Sequence, residues 1–221
     1  MADGPLSRDP PRLVRVTSRR SRAFRDAFAV YETAIPRSEQ KTRAQIVAGL
    51  KNPDVHFWAY VRRQEVIGVA VLYASRHQGM LLLEYLAVSP GVQGQGIGSD
   101  LFRESLGASQ MGPGAAMLIE VDSELDEVDA AERTIRKKRK QFYRRLGCRE
   151  VRGFDYILPL ETYGPAPRMS LMVTGAAEDE IDVARLRQAV EDIYVHVYDC
   201  SRTDPRIAAM FAAHETTFKL I

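Results

Sequence analysis

A glycine-rich segment in the middle of the chain, Gly91–Gly98 (GVQGQGIG), follows an apolar run that ends at Val88. Glycines in such a segment let the backbone adopt positive φ angles and approach a ligand closely. A helix that starts there presents its first amide N–H groups, which have no intrahelical partner, at the positive end of its dipole. This arrangement suits an anion such as a pyrophosphate. Taken alone, the segment predicts either a phosphate-binding loop or a plain turn.

The spacing of the glycines excludes two common phosphate-binding motifs. A P-loop requires a Lys followed by Ser or Thr directly after its last glycine, and no such Lys follows here. The dinucleotide-binding fingerprint G-x-G-x-x-G does not fit either, because Gly94, Gly96 and Gly98 run G-x-G-x-G. A phosphate site at this segment is therefore of another kind.

Two glutamates stand inside otherwise apolar runs. Glu84 lies in Leu81–Leu86 (LLLEYL), and Glu120 lies in Met117–Val121 (MLIEV). A carboxylate in a buried strand costs free energy unless it is paired, so each glutamate calls for an explanation. Each is a candidate general base that accepts a proton. The alternative is a strand-edge side chain that faces solvent or pairs with an arginine.

The strands that must position these residues are read from short apolar runs between polar or glycine-containing turns. Three consecutive runs in the first half of the chain predict an antiparallel meander, and the third leads directly into the glycine-rich segment. The predicted strands are Leu13–Val16, Phe57–Val61, Val66–Tyr73, Met80–Val88, Met117–Val121, Arg149–Leu158 and Met169–Thr174.

Helices are predicted where apolar residues recur at helical spacing. One carries the stripe Phe24 to Ile35, and a second, capped by Ser38, stops before Pro53. A third opens at the glycine-rich segment. Residues 178–221 are predicted to be helical, with a final helix that starts at Asp204-Pro205.

A basic run, Arg133–Arg145, is predicted to lie on a further helix that Gly147 ends. Ile135, Phe142 and Leu146 are expected to face the core, with most of the charges facing water. The run could also indicate a nucleic-acid patch or a nuclear signal, but a solvated helix face is the favoured interpretation.

The composition is that of an ordinary globular protein, with 221 residues, 45% hydrophobic residues and a net charge of +2. A nearly neutral chain gives no support for general binding to nucleic acid or a membrane surface. Cys148 and Cys200 are expected to be reduced thiols, and the spacing of the four histidines predicts no metal site. The N-terminal residues lack the apolar region of a signal peptide, and no run of 18 apolar residues occurs, so a cytoplasmic protein is expected.

The glycine-rich segment resembles the central motif of the GNAT superfamily of acetyltransferases. In that motif a strand ending in V-x-P precedes [RQ]-x-x-G-x-[GA], and Gln93–Gly98 (QGQGIG) is a full match. Downstream, Phe142–Cys148 (FYRRLGC) is similar to the family segment F-Y-x-x-x-G-F, with Cys in place of the last Phe. The resemblance covers about residues 12–175.

The resemblance implies an α+β fold: a mixed, mostly antiparallel sheet of about seven strands, flanked by helices, in which strands 4 and 5 splay apart. Residues 1–11 would form a disordered tail, residues 12–175 the acetyltransferase domain, and residues 176–221 a helical C-terminal extension packed on the core.

The resemblance also implies that acetyl-coenzyme A is the cofactor. Its pyrophosphate would be held at the start of the helix, and a backbone N–H near Leu86 or Ala87 would polarise the thioester carbonyl. The cofactor-binding residues implied in this way are Leu86, Ala87, Val88, Gln93, Gly94, Gln95, Gly96, Ile97, Gly98 and Ser99.

Tyr143 matches the residue that usually protonates the leaving thiolate in this family. The alternative is a helix residue that packs at the edge of the core. Arg136 and Arg139 lie near one line with Tyr143 along the helix and are expected to meet the phosphates of the cofactor. Arg136 stands where the family usually has an Asn, which puts the usual contact to pantetheine in doubt.

The function expected from the resemblance is transfer of acetyl from acetyl-coenzyme A to an amine of a small molecule by direct attack, with Glu120 or Glu84 as the base. The alternatives are an acetyltransferase for protein N-termini or lysines, and a coenzyme A-binding module without catalysis. Neither nucleic acid nor a membrane is an expected partner, and the apolar stripes of the C-terminal residues leave a homodimer open. The acidic segment Asp122–Glu132 would either steer a cationic acceptor or favour the N-terminus of the following helix.

Overall fold

The computed structural model describes residues 9–75, 79–109, 115–124, 128–159, 168–176, 178–212 and 216–221. Its strands are β1 (Arg12–Arg15), β2 (Val55–Arg62), β3 (Glu65–Ser75), β4 (Met80–Val88), β5 (Ala116–Asp122), β6 (Arg149–Ile157), β7 (Arg168–Thr174), β8 (Glu180–Asp182) and β9 (Thr217–Lys219). Its α-helices are α1 (Arg22–Ala34), α2 (Arg43–Gly49), α3 (Ile97–Ser109), α4 (Ala130–Arg145), α5 (Val183–His196) and α6 (Pro205–Phe211).

Seven of the strands form one mixed sheet in the order β1-β2-β3-β4-β5-β7-β6. The neighbours β4 and β5 are parallel, whereas β1–β2, β5–β7 and β6–β7 are antiparallel. The paired register of β4 and β5 ends at Leu83 opposite Ile119, although both strands continue beyond these residues. The predicted α+β fold with its mixed sheet is therefore confirmed.

The chain divides into two compact units, one of residues up to Leu72 with Tyr85–Ser109, the other of Tyr73–Glu84 with residues from 110 onward. In the first unit, α1 buries Phe24, Phe28 and Tyr31 in a cluster with apolar residues of β2 and β3. The Ser21 hydroxyl caps this helix by accepting the amide of Phe24 at 3.1 Å. The predicted apolar stripe of the first helix is confirmed.

The second helix begins later than predicted, and its N-cap is Thr42 instead of Ser38. The Thr42 hydroxyl accepts the amide of Gln45 at 3.3 Å, and Oε1 of Gln45 accepts the amide of Thr42 at 2.8 Å. This reciprocal pair satisfies two amide groups at the helix start. Residues Arg37–Glu39 instead form a short 3₁₀ helix after Pro36.

Gly68 of β3 allows α3 to lie close to the sheet. A Cβ atom at this position would be 3.0 Å from Cδ2 of Leu101 and 3.2 Å from the carbonyl oxygen of Ala87. Leu101 is fully buried, so it has little room to move away. The glycine thus sets the distance between α3 and the end of β4, and with it the place of the loop that joins them.

The C-terminal residues fold into the second unit together with β5, α4, β6 and β7. The helix α5 buries the predicted stripe, including Leu186, Val190 and Ile193, and Asp204 caps α6 with Pro205 in its first position. The prediction of helix throughout residues 178–221 is wrong, because β8 and β9 form a two-stranded sheet. Their alternation over three residues each is too short to stand out in the sequence.

The last residue of the chain pairs with β6. The amide of Glu150 donates to the carbonyl of Ile221 at 2.7 Å, and the amide of Ile221 donates to the carbonyl of Glu150 at 3.0 Å. The backbone groups of Glu150, on the β6 edge of the sheet, are therefore hydrogen-bonded. The boundary at residues 175 and 176 stays a prediction, and residues 1–8 of the predicted tail lie outside the described residues.

We expect Gly68→Val to lower the free energy of unfolding by about 1–3 kcal/mol, because the added side chain overpacks the contact with Leu101. Urea denaturation measures this change. Gly107→Ala in the same helix is the control: no atom lies within 4 Å of its added Cβ, so it should stabilise the protein by about 0.5–1 kcal/mol. Equal stability of Gly68→Val and the wild type would contradict the close-packing argument.

Candidate functional site

The loop between β4 and α3 takes its shape from two glycines in the left-handed region. Gly94 has φ +77° and Gly96 has φ +82°, and both are exposed with open space where a Cβ would be. An L-residue adopts such angles only at a cost of about 1–2 kcal/mol. A short 3₁₀ helix, Pro90–Val92, precedes them, and α3 begins directly after them at Ile97. The predicted strand–loop–helix arrangement is therefore present.

The loop presents backbone groups to solvent. Residues Gln93–Gly96 are exposed, Gly98 and Ser99 are half-buried, and only Ile97 is buried, where it anchors the start of the helix. The amides of Ser99 and Asp100 donate to the carbonyl of Gly96 at 2.9 and 3.1 Å, which closes the first turn. An anion at the loop would therefore meet the amides that precede Ser99 first.

The strand residues that were expected to contact the cofactor lie in the part of β4 beyond its pairing with β5. Ala87 is buried, whereas Leu86 and Val88 are half-buried. Just after them, the amide of Ser89 donates to the carbonyl of Ile67 at 2.9 Å, which ties the start of the loop to β3.

The two candidate bases lie at the point where β4 and β5 part. Glu84 and Glu120 each follow directly on the last paired residues, Leu83 and Ile119, and both are half-buried. Because successive side chains of a strand alternate in direction, neighbouring residues in register share a face. The structure thus confirms that both carboxylates lie within apolar strands. Which of them is the base stays a prediction.

Glu120 lies among three tyrosines of the C-terminal half. The Tyr198 hydroxyl donates to Oε2 of Glu120 at 2.5 Å. Burial raises the pKa of Tyr156 well above its ordinary value, and the negative charge of Glu120 raises it further. Tyr194 packs edge-on against both Tyr156 and Tyr198, with 6.4 Å between ring centroids in each pair.

Sequence reasoning missed Tyr198. The only local signal is that Tyr194 and Tyr198 are four residues apart beside the apolar stripe, a spacing that would place both on one side of a helix. In the structure α5 ends at His196, and Tyr198 lies in the turn that follows. Nothing in that spacing indicates a carboxylate partner 78 residues away.

The buried face of α4 is not the predicted one. Ile135 is 51% exposed, and Phe142 and Leu146 are only half-buried, whereas Arg136, Lys140 and Tyr143 are buried. Those three residues are spaced four and three residues apart, so they lie on one side of the helix.

Carboxylates of neighbouring elements explain this reversed burial. Nζ of Lys140 lies 2.5 Å from Glu124 and 2.9 Å from Glu150, and it also donates to the Ser170 hydroxyl at 3.1 Å. Buried charges of this kind are tolerated when they are paired and hydrogen-bonded. The buried cation therefore lies within an ion-pair cluster.

The two arginines of α4 that were predicted to meet the cofactor phosphates bind groups of their own chain. Arg136 donates to Glu132 and to the carbonyl of Ser123, both at 3.0 Å, and Arg139 lies 2.5 Å from Asp122. Contact of either arginine with a cofactor phosphate stays a prediction, and it would have to compete with these partners.

The acidic segment before α4 pairs with the helix. Asp129 is its N-cap and accepts the amide of Glu132 at 2.8 Å, while Asp122, Glu124 and Glu132 form the ion pairs described above. Asp126 and Glu127 lie outside the described residues. Helix capping and ion pairs therefore explain the described residues of the acidic segment. No observation among these residues favours the alternative, in which the segment steers a cationic acceptor.

Tyr143 lies in the last turn of α4, which ends with a defined geometry. The amide of Cys148 donates to the carbonyl of Tyr143, and the amide of Gly147 to that of Arg144, both at 3.0 Å, with Gly147 at φ +84°. This is a Schellman motif, and the predicted glycine cap is confirmed. Burial raises the pKa of Tyr143, which outweighs the opposing charge of Arg139, so the phenol stays protonated at neutral pH.

Both cysteines are free thiols, as predicted. Burial raises the pKa of Cys148 to about 12, which makes it unreactive at neutral pH. Within the described ranges, no group of three or more His, Cys, Asp and Glu side chains is arranged to hold a metal ion. None of the helices in the described part of the chain has the length and apolar character needed to span a membrane.

We expect Lys140→Met to lower the free energy of unfolding by about 3–5 kcal/mol at pH 7, because it leaves buried carboxylates without their cation. Burial alone would raise the pKa of Glu124, but the hydrogen bond and charge of Lys140 hold it below its ordinary value. That stabilisation is present above the unfolded pKa, about 4.3, and is lost as the pH falls through the folded pKa. The difference in the free energy of unfolding between the wild type and Lys140→Met should therefore become smaller below about pH 4.

Chemical denaturation at several pH values measures this difference. The matched control is Lys138→Met, an exposed position on the same helix, which should change stability by less than about 0.5 kcal/mol. A difference in the free energy of unfolding that does not depend on pH would mean that Lys140 stabilises the protein by packing and not by its ion pairs.

Comparisons with known proteins point to one family. Residues 53–150 match the family model described as an acetyltransferase (GNAT) domain. No curated protein sequence matches the chain. Solved structures of low sequence identity share the fold. A protein assigned to the GNAT acetyltransferase family from Bacteroides thetaiotaomicron has a TM-score of 0.67 at 16% identity, over 85% of this chain and 98% of that one.

Two further structures are similar in fold and differ in their named substrates. An aminoglycoside 6'-N-acetyltransferase complexed with coenzyme A has a TM-score of 0.54 at 20% identity, over 73% of this chain and 95% of that one. The ribosomal-protein-S18-alanine N-acetyltransferase of Escherichia coli has a TM-score of 0.52 at 14% identity, over 74% of this chain and 92% of that one.

Proposed function

The chain contains an acetyltransferase domain of the GNAT family, and from this premise we propose that it transfers an acetyl group from acetyl-coenzyme A to an amine of a small molecule. The observation that carries the proposal is the loop between β4 and α3. Its two glycines with positive φ lie exposed at the start of a helix, in the QGQGIG segment that matches the family motif.

The loop fits the pyrophosphate of coenzyme A. An exposed backbone without side chains at Gly94 and Gly96 leaves open space at both positions, and amides at a helix start bind anions well. The residues proposed to hold the cofactor are Gln93–Gly98, with the backbone of Leu86–Val88 beside the thioester. When bound, acetyl-coenzyme A supplies an activated acyl group and a thiolate leaving group.

Two protein groups are proposed to move protons. Glu120 accepts the proton of the attacking amine, either directly or through water, and Glu84 is the second candidate at the same point of the sheet. Tyr143 donates a proton to the leaving thiolate. Its raised pKa keeps the phenol protonated at neutral pH, which an acid requires.

An acceptor screen that follows thiol release from acetyl-coenzyme A tests this proposal. Small polyamines, amino sugars and amino acids should give turnover above hydrolysis, and peptides with free N-termini or lysines should give less. Turnover with peptides alone would favour a protein acetyltransferase, which is the alternative acceptor class. Tight binding of coenzyme A without turnover for any amine would identify a binding module and overturn the proposal. The cytoplasmic setting and the homodimer stay predictions.

We expect Gly96→Glu to weaken coenzyme A binding at least about tenfold more than Gly96→Gln does, because only the carboxylate repels the pyrophosphate, a difference of about 1.4 kcal/mol. Both side chains impose similar backbone strain, since Gly96 has φ +82°. Isothermal titration calorimetry measures the affinities, and circular dichroism checks that both variants fold. Similar affinities for the two variants would place the pyrophosphate elsewhere.

We expect Tyr143→Phe to lower kcat by about 10²–10⁴-fold, the range of general-acid effects, with little change in the affinity for coenzyme A. Steady-state kinetics and calorimetry separate the two quantities. Phe142→Leu, at the half-buried neighbouring position, is the control and should leave kcat within a few-fold. An unchanged kcat for Tyr143→Phe would assign protonation of the thiolate to water or another group.

A further inference from the structure

The Glu120 carboxylate has a hydrogen-bond donor in the C-terminal segment, well beyond the residues that carry the family motifs. The Tyr198 hydroxyl donates to Oε2 of Glu120 at 2.5 Å, across 78 residues of sequence. We infer that Tyr198 is a positioning residue for Glu120, which it holds in the orientation and the ionised form that accept a proton. This inference rests on the proposed function, in which Glu120 is the base.

A buried polar contact holds the helix that precedes Tyr198. Asp192 of α5 is buried and accepts the Ser75 hydroxyl at 2.6 Å and the Arg202 guanidinium at 3.3 Å. A buried carboxylate is costly without such partners, so the contact fixes the position of α5 along the end of β3. Two residues further, the Tyr194 hydroxyl donates to the carbonyl of Ile157 in β6. The helix is thus tied to two strands before the chain reaches Tyr198.

The backbone turns directly after Tyr198. Asp199 has φ +55°, which is uncommon outside glycine, although Asp adopts it more readily than most residues. The amide of Cys200 donates to the carbonyl of Tyr194 at 2.8 Å and closes this turn. A phenol held in such a turn loses little further freedom when it binds a carboxylate, which suits a positioning residue.

The charged and titratable groups around Glu120 come from several elements. Among the described residues they include Glu84 of β4, Asp122 of β5 with its partner Arg139 of α4, Tyr156 of β6, Tyr194 of α5, and Tyr198 in the turn after α5. Burial raises the pKa of Tyr156 and Tyr194 and at Tyr194 outweighs the opposing charge of Arg206, while the charge of Glu120 adds a smaller upward shift at both, so these two phenols are neutral at neutral pH. In general, a nearby carboxylate disfavours the ionised form of a carboxyl group, whereas a phenol that donates to it favours that form.

Removal of the Tyr198 donor should therefore change how activity depends on pH. In Tyr198→Phe, the acidic limb of kcat/KM for the best amine should move up by about one pH unit, since a hydrogen bond to a charged group has about that effect. At neutral pH, kcat should fall about tenfold through lost orientation, while the affinity for coenzyme A stays unchanged.

The matched control is Tyr194→Phe in the preceding helix α5, which removes a hydroxyl that donates to a main-chain carbonyl. It should lower the melting temperature without moving the acidic limb. A second probe keeps the shape of the side chain: 3,5-difluorotyrosine at position 198 is a stronger donor than tyrosine and should move the limb to lower pH. This probe also covers the case in which Tyr198→Phe folds poorly.

A direct titration separates this inference from the proposed function. In protein labelled with ¹³C at the glutamate side chains, the Glu120 carboxyl signal is identified by its absence in Glu120→Gln and followed against pH. A higher titration midpoint in Tyr198→Phe supports the inference even if no amine is acetylated. An unchanged midpoint, or equal shifts in Tyr198→Phe and Tyr194→Phe, overturns it, even if acetyl transfer is established.

Discussion

Charged side chains that are wholly or partly withdrawn from water require partners, and that requirement decides how the second unit is arranged. Glu120, Lys140 and Asp192 are the ionisable groups around which contacts converge there, and each has partners from other elements. Withdrawing a charge from water costs several kcal/mol unless such partners are present. Helix α4, helix α5 and the ends of the strands therefore have little freedom to lie elsewhere, because each supplies one member of a pair.

The same requirement explains where hydrophobic periodicity fails. On α4 the sequence offers an apolar stripe through Ile135 and a basic stripe through Arg136 and Lys140, and both have helical spacing. Periodicity favours burial of the apolar stripe. The observed burial is the opposite, because Glu124 and Glu150 create a site in which a cation is stabilised. Their position is a tertiary property that no local pattern contains.

Local signals, by contrast, predicted much of the fold and the shape of the loop between β4 and α3. The glycines at 94 and 96 and the cap at Gly147 each act through backbone conformations within a few residues, and the structure has positive φ at all three. The sheet followed from short apolar runs and from the family resemblance. What sequence could not supply were contacts between distant residues, such as Tyr198 with Glu120, and the close approach that requires a glycine at position 68.

The C-terminal segment therefore has two physical roles that a packing argument alone would not separate. Its last residue pairs with β6 through two backbone hydrogen bonds, a contact that any sequence could make. Tyr198 makes a contact that depends on its hydroxyl. If Glu120 is the base, the reactivity of the site is set partly by residues outside the segment that matches the family model, residues 53–150. A side chain without a hydroxyl at position 198 would then change the pH dependence of the reaction even if the loop between β4 and α3 stayed the same, because the donor to the base and the loop come from different parts of the chain.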